Sequence, residues 1–172
     1  MGMTVKLVID TETNRIDFNG WNAGDTSSLK KLHCICAIDV ETGEEYRYHG
    51  RTVNRGITHA YSADVLIGHH INFDLRVMAA LKGVKLPSRV DTFCTYMAAK
   101  SAFPDGYREN RIANPNRKGS HSLEAWGSRL GVRKGGAPQC WDQPDMKLLL
   151  DYCIQDCRVA LALYRLLARR RG

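Results

Sequence analysis

The chain has 172 residues, 44% of them hydrophobic, and carries a formal net charge of +7. That apolar content excludes a disordered chain, and the length predicts one domain, residues 1–172, with room for a proper core. No apolar run is long enough to span a bilayer and the N-terminus lacks a signal-peptide centre, so a cytoplasmic protein with no membrane partner is expected.

In chain order, VKLVIDTE predicts a buried strand over about 4–11. A Gly/Asn/Ser-rich connection over 13–29 follows. Strands at about 32–41 and 44–49 flank ETGEE, whose Thr-Gly suggests a hairpin. A short helix near 57–63 precedes a strand at 64–68 and a helix at 74–83. A strand at 89–92 runs into a helix ending near Ala99. After a long polar connection come helices at about 121–130 and from Pro144 to about Arg170. An antiparallel hairpin followed by alternating strands and helices makes a mixed α/β sheet with helices on its faces.

Three stretches place carboxylates in apolar surroundings: LVIDTET, GHHINFD and LLLDYCIQD. Strand alternation puts Asp10 and Glu12 on one side with Val8, and Leu7 and Ile9 on the other. In the last helix Asp151, Gln155, Arg158, Arg165 and Arg169 form a polar stripe. Asp156 falls about 140° from Asp151, on the side of Leu149, Ala160, Leu163 and Leu167. Tyr152 stands one turn before Asp156 on that side. Each acid alone has an ordinary reading: a strand end, a first-turn acid favouring the helix dipole at Asp74, a satisfied core polar group at Asp156. Together they describe a site whose natural counter-ion is a hard divalent cation. His69 and His70 have no Cys or second His pair at zinc-like spacing. The six cysteines form no CxxC pair and read as reduced, largely buried thiols.

In this order the stretches resemble the three exonuclease motifs of the DEDD, or DnaQ-like, 3′–5′ exonucleases, whose fold is RNase H-like. Asp10 and Glu12 match the first motif, Asp74 the second, and Tyr152 with Asp156 the Y-x-x-x-D form of the third, which marks the DEDDy branch. KKLHCICAID and GSHSLEAWGSRLG look like segments of bacteriophage family A replicative polymerases, so the likeness covers nearly the whole chain. It implies catalysis by Asp10, Glu12, Asp74, Tyr152 and Asp156, with two Mg²⁺ or Mn²⁺ ions held by the four acids. Asp10, Glu12 and Asp156 would hold the ion that activates water, Asp10 and Asp74 the ion at the leaving oxygen. Tyr152 would orient the water. The second motif usually carries Asn four residues before its Asp; here that place is His70, and an Asn stands at Asn72. Asp91, in SRVDTF, matches an acid often seen in the family after a later strand and is not counted among the catalytic residues.

The implied reaction is proofreading or processing of DNA 3′ ends, in a host cytoplasm if the chain is phage-encoded. The implied partner is single-stranded DNA ends; with no polymerase in this sequence, the expected exonuclease is free-standing, one half of a split replicase that pairs with a separate polymerase subunit, or an excised domain. The segment from Lys100 to Lys134 holds eight basic residues against three acids, in part on a long polar loop at 101–118. Arg108, Arg111, Arg117 and Lys118 there, with His70 and Asn72, are the expected nucleic-acid contacts. The alternatives are an exoribonuclease of the same superfamily, a non-catalytic module binding DNA ends or a polymerase, and a protein whose basic surface is its whole function.

Overall fold

The computed structural model describes residues 4–104 and 119–170. Strand β1 (Lys6–Thr13) is the centre of a five-stranded sheet. It pairs antiparallel with β2 (Leu32–Asp39), which pairs antiparallel with β3 (Glu45–His49). On its other side β1 runs parallel to β4 (Val65–Gly68), and β4 runs parallel to β5 (Asp91–Cys94). The order is β3-β2-β1-β4-β5, the expected mixed α/β sheet.

Alternation along β1 divides the core between two layers of helices. Leu7 and Ile9 pack with α1 (Phe18–Asn22), α2 (Val53–Ala60) and α3 (Ile71–Lys82) through Trp21, Ile57, Val77 and Met78. Val8 faces the other way, into the core built by α4 (Thr95–Ala102), α5 (Leu123–Leu130) and α6 (Met146–Arg169) through Ala99, Trp126, Leu149 and Leu163. Asp10 and Glu12 share Val8's parity, so they project toward the α6 layer.

Several boundaries differ from expectation. β1 continues to Thr13, with Glu12 paired to Cys34, because β2 is long enough to carry the ladder that far. The connection over 13–29 contains α1, capped by Asp17 accepting from the Asn19 N–H and anchored by buried Trp21. α2 begins at Val53 because a 3₁₀ turn at Gly50–Thr52 leads directly into it. α3 begins at Ile71, one turn before Asp74, because His70 adopts the left-handed conformation at φ 69° and turns the chain at once. Four cysteines, Cys34, Cys36, Cys153 and Cys157, are buried free thiols, whereas Cys140 is exposed. Among the described residues, no helix is long and apolar enough to cross a membrane.

Candidate active site

The parallel register explains how separate segments converge. β4 pairs with β1 only from Lys6 to Val8 and then stops. Beyond Val8, the flank of β1 facing β4 has no strand beside it, and its N–H groups need other acceptors. Gly68 closes β4 and allows the turn into α3, since a Cβ there would lie 2.8 Å from the Ile71 side chain. The turn brings the first turn of α3 against β1, and Asp74 takes the place a longer β4 would fill. The Thr11 N–H donates to Asp74 Oδ1 at 3.0 Å and the Thr11 hydroxyl donates to the same oxygen at 2.6 Å.

The other face is supplied by α6, which crosses β1 and β2. Cys153 donates its thiol to the Asp10 carbonyl at 3.4 Å. One oxygen each from Asp10 and Glu12 and the Cys153 sulfur lie within 4.8 Å of one another. Asp156 stands one turn further along α6. Glu12, Asp74 and Asp156 are 9%, 3% and 4% exposed. Asp10 Oδ2 and Asp156 Oδ1 are buried with no hydrogen-bond partner.

Burial raises the pKa of all four carboxyl groups, and neighbouring acids add to it at Asp10 and Glu12. Burial, then the charges of Glu12, Asp156 and Asp74, pushes Asp10 well above the usual carboxylate range. Burial and Asp156 push Glu12 up to about 8. Burial raises Asp74 to about 7 despite the Thr11 hydrogen bonds. Burial raises Asp156 to about 6, held down in part by Lys134. Buried, partnerless carboxylate oxygens among neighbouring acids are a donor set that a divalent cation fits. Asp10, Glu12, Asp74 and Asp156 would hold it.

Tyr152 lies beside this cluster, 8% exposed. Trp141 packs edge-on against its ring, with centroids 5.9 Å apart, and the Trp141 carbonyl accepts from His33 Nε2 at 2.8 Å. Burial and the Asp156 charge raise the phenol to about 12, so it remains protonated at neutral pH.

One residue of the cluster was not anticipated. Lys134 Nζ lies 2.7 Å from Asp156 Oδ2 and 4.6 Å from the centre of the Tyr152 ring. The segment after α5 carries it there. Gly127 lets the chain double back, since a Cβ would meet the Val132 carbonyl at 2.6 Å, and Gln155 Nε2 donates to the Arg133 carbonyl at 2.7 Å. Burial lowers the Lys134 pKa, but Asp156 and Tyr152 outweigh it and the pKa rises. The only sequence signal was membership of a basic segment, in which it was counted among charges for phosphate. Arg129 of that segment is likewise not a surface charge: it is 4% exposed, lies over the Trp126 ring and donates to the Ser120 carbonyl.

The remaining anticipated residues sit outside the cluster's hydrogen bonds. His69 pairs with the Thr95 hydroxyl at 3.0 Å, and the exposed His70 ring stacks on Tyr96 at 3.8 Å. Asn72 is exposed on α3, and Asp91 is exposed at the start of β5. Arg108, Arg111, Arg117 and Lys118 lie outside the described residues. A cleft of about 670 Å³ opens at Glu12, walled by Ile16, Phe18, Phe73 and Trp141.

No family model matches the chain, and no curated protein matches it. Solved structures do. A structure described as the apo form of a nuclease superposes with a TM-score of 0.63 at 19% identity, over 96% of this chain and 72% of that one. NrnC of Brucella melitensis bound to pGG gives 0.58 at 20% identity, over 97% and 75%. RNase D of Trypanosoma brucei gives 0.55 at 13%, over 94% of this chain and 57% of that one. At such identities the likeness speaks to the fold, which is the RNase H-like α/β fold of these nucleases.

Proposed function

We propose that this protein is a metal-dependent 3′–5′ exonuclease that hydrolyses the terminal phosphodiester bond of a single-stranded nucleic acid. The observation carrying this reading is the convergence of Asp10, Glu12, Asp74 and Asp156 from three chain segments into one buried cluster with partnerless oxygens at Asp10 and Asp156. Nothing in the packing of the sheet requires four acids there, and burying them opposes folding. The fold shared with nucleases supports the reading.

When bound, Mg²⁺ or Mn²⁺ would lower the pKa of water and neutralise charge on the phosphate. The chain's own groups do the rest. Asp74, fixed by Thr11, and Asp10, fixed on β1, define the floor of the site. Tyr152 is too weak an acid to act as a base at neutral pH, so its hydroxyl orients the attacking water. The aromatic walls of the cleft at Glu12 suit a stacked terminal base. His70 and Asn72, at the start of α3, and the basic residues Arg108, Arg111, Arg117 and Lys118 stand as the proposed strand contacts.

The resemblance to phage polymerase proofreading segments favours DNA as substrate, with a separate polymerase as partner. The fold likeness to an enzyme named RNase D favours an exoribonuclease. Pure protein with 5′-labelled single-stranded DNA or RNA, in Mg²⁺, Mn²⁺ or EDTA, decides between them. The expected result is stepwise shortening from the 3′ end that EDTA stops. No cleavage with either metal, or cleavage that persists in EDTA, would overturn the proposal.

A further inference from the structure

Lys134 presents a conflict with the metal site. Its ammonium is 2.7 Å from one oxygen of Asp156, and the other oxygen of that carboxylate has no partner. A divalent ion held by Asp156 would sit about 2 Å from a carboxylate oxygen, next to an ammonium bonded to the same group. Two cations at such separation repel strongly beside a carboxylate this buried. Without an ion, by contrast, Lys134 is the ammonium that partly offsets the surrounding carboxylates, and it crosses the face of Tyr152 to do so.

The anchoring of Lys134 suits a side chain that moves on a fixed base. The Val132 N–H donates to the Gly127 carbonyl at 2.9 Å, and Gln155 holds Arg133. The Lys134 side chain retains 24% exposure while that of Asp156 has 5%, so the lysine side chain borders solvent and the carboxylate hardly does. A flexible four-carbon stem with a compact charge can rotate from a carboxylate to a phosphate oxygen without rearranging its backbone.

We propose that Lys134 is a displaceable counter-ion: it holds Asp156 while the site lacks metal, and passes its ammonium to a phosphate oxygen of the strand when metal and nucleic acid are bound. This rests on the exonuclease reading for the identity of the polyanion. It makes Lys134 a residue that weakens metal binding by the free protein and strengthens binding of the strand once metal is present.

The test is Mn²⁺ calorimetry on wild type, Lys134→Gln and Lys134→Arg without nucleic acid, followed by single-stranded DNA and RNA binding against salt in Ca²⁺ and in EDTA. Lys134→Gln should bind Mn²⁺ about tenfold more tightly than wild type, because the competing cation is gone. Lys134→Arg keeps the charge and should keep wild-type affinity. In Ca²⁺ the log–log salt slope of strand binding should fall by about 0.7 in Lys134→Gln, the loss of one phosphate contact. In EDTA the two slopes should agree. A static support for Asp156 predicts the opposite sign: weaker Mn²⁺ binding in Lys134→Gln and no metal-dependent slope difference. That result, an unchanged affinity, or no Mn²⁺ binding by any of the three would overturn the proposal. Cleavage by wild type is read separately. An enzyme that cleaves while Lys134→Gln binds metal no more tightly keeps the exonuclease reading and loses this one. Both shifts in Lys134→Gln beside a wild type that does not cleave do the reverse.

Discussion

Asp156 and Leu163 lie two helical turns apart on the same buried side of α6, 4% and 0% exposed. Leu163 belongs to the core that joins the sheet to α6, and burying such a side chain stabilises the fold by about 1.5–3 kcal/mol. Burying a carboxylate costs several kcal/mol unless it is well paired, and Asp156 has Lys134 on one oxygen and no partner on the other. The C-terminal half of this face is explained by what the fold gains. In the N-terminal half Leu149 and Ile154 still serve the core, but Asp156 among them opposes folding and finds its account in the proposed metal site.

The widest separation of the two halves should appear in activity. Asp156→Asn removes a proposed metal donor, and single-turnover cleavage at saturating Mg²⁺ should fall at least about a thousandfold. Leu163→Ala should leave the rate per folded molecule near that of wild type. Comparable losses in the two variants would erase the distinction.

Stability should separate them in the other direction. Leu163→Ala should lower the unfolding free energy by about 2–5 kcal/mol, since it opens a cavity in a closed core. Asp10→Asn, measured in EDTA, should leave stability unchanged or raise it, because Asp10 is repelled by Glu12, Asp156 and Asp74 and its Oδ2 has no partner to lose. Urea unfolding of both variants checks this, and a loss at Asp10 equal to that at Leu163 would show that the acid is held for structure.

Tyr152→Phe should give an intermediate effect. The ring and its packing on Trp141 remain while the hydroxyl that aligns water is lost. The rate should fall about ten- to a thousandfold with Mn²⁺ affinity nearly unchanged. A wild-type rate would make Tyr152 a packing residue, on the Leu163 side of the comparison.

The smallest effect is on pH dependence. Burial pushes Glu12, Asp74 and Asp156 up to about 8, about 7 and about 6 in the folded protein, above the ordinary carboxylate range of about 4. Between those limits the folded state binds more protons than the unfolded state, so the metal-free protein loses stability as pH rises from about 4 to about 8. Saturating Mn²⁺ should flatten the fall, because metal binding takes the place of protons. Thermal melts in EDTA whose midpoint rises over that range would contradict the shared burial of these acids.

The parts of the site legible in the sequence were those set by local periodicity. Alternation fixed the shared side of Asp10 and Glu12 with Val8, and helical spacing put Asp156 and Tyr152 on the buried side of α6, as the structure shows. The parts that were not legible depend on contacts between distant segments. The vacancy beside β1 exists because β4 stops opposite Val8, a matter of strand length that no motif encodes. Lys134 reaches Asp156 only because the chain doubles back over Gly127. α1 escaped notice because a five-residue helix held by Asp17 and one buried Trp has too few turns to show a period.

The central claim, that the buried acids of β1, α3 and α6 form a divalent metal centre, is tested most directly by anomalous diffraction from crystals soaked in Mn²⁺. The account predicts a peak beside Asp10, Glu12 and Asp156, with a second near Asp10 and Asp74. Full soaking with Mn²⁺ only at surface carboxylates, and none between β1 and α6, would contradict it.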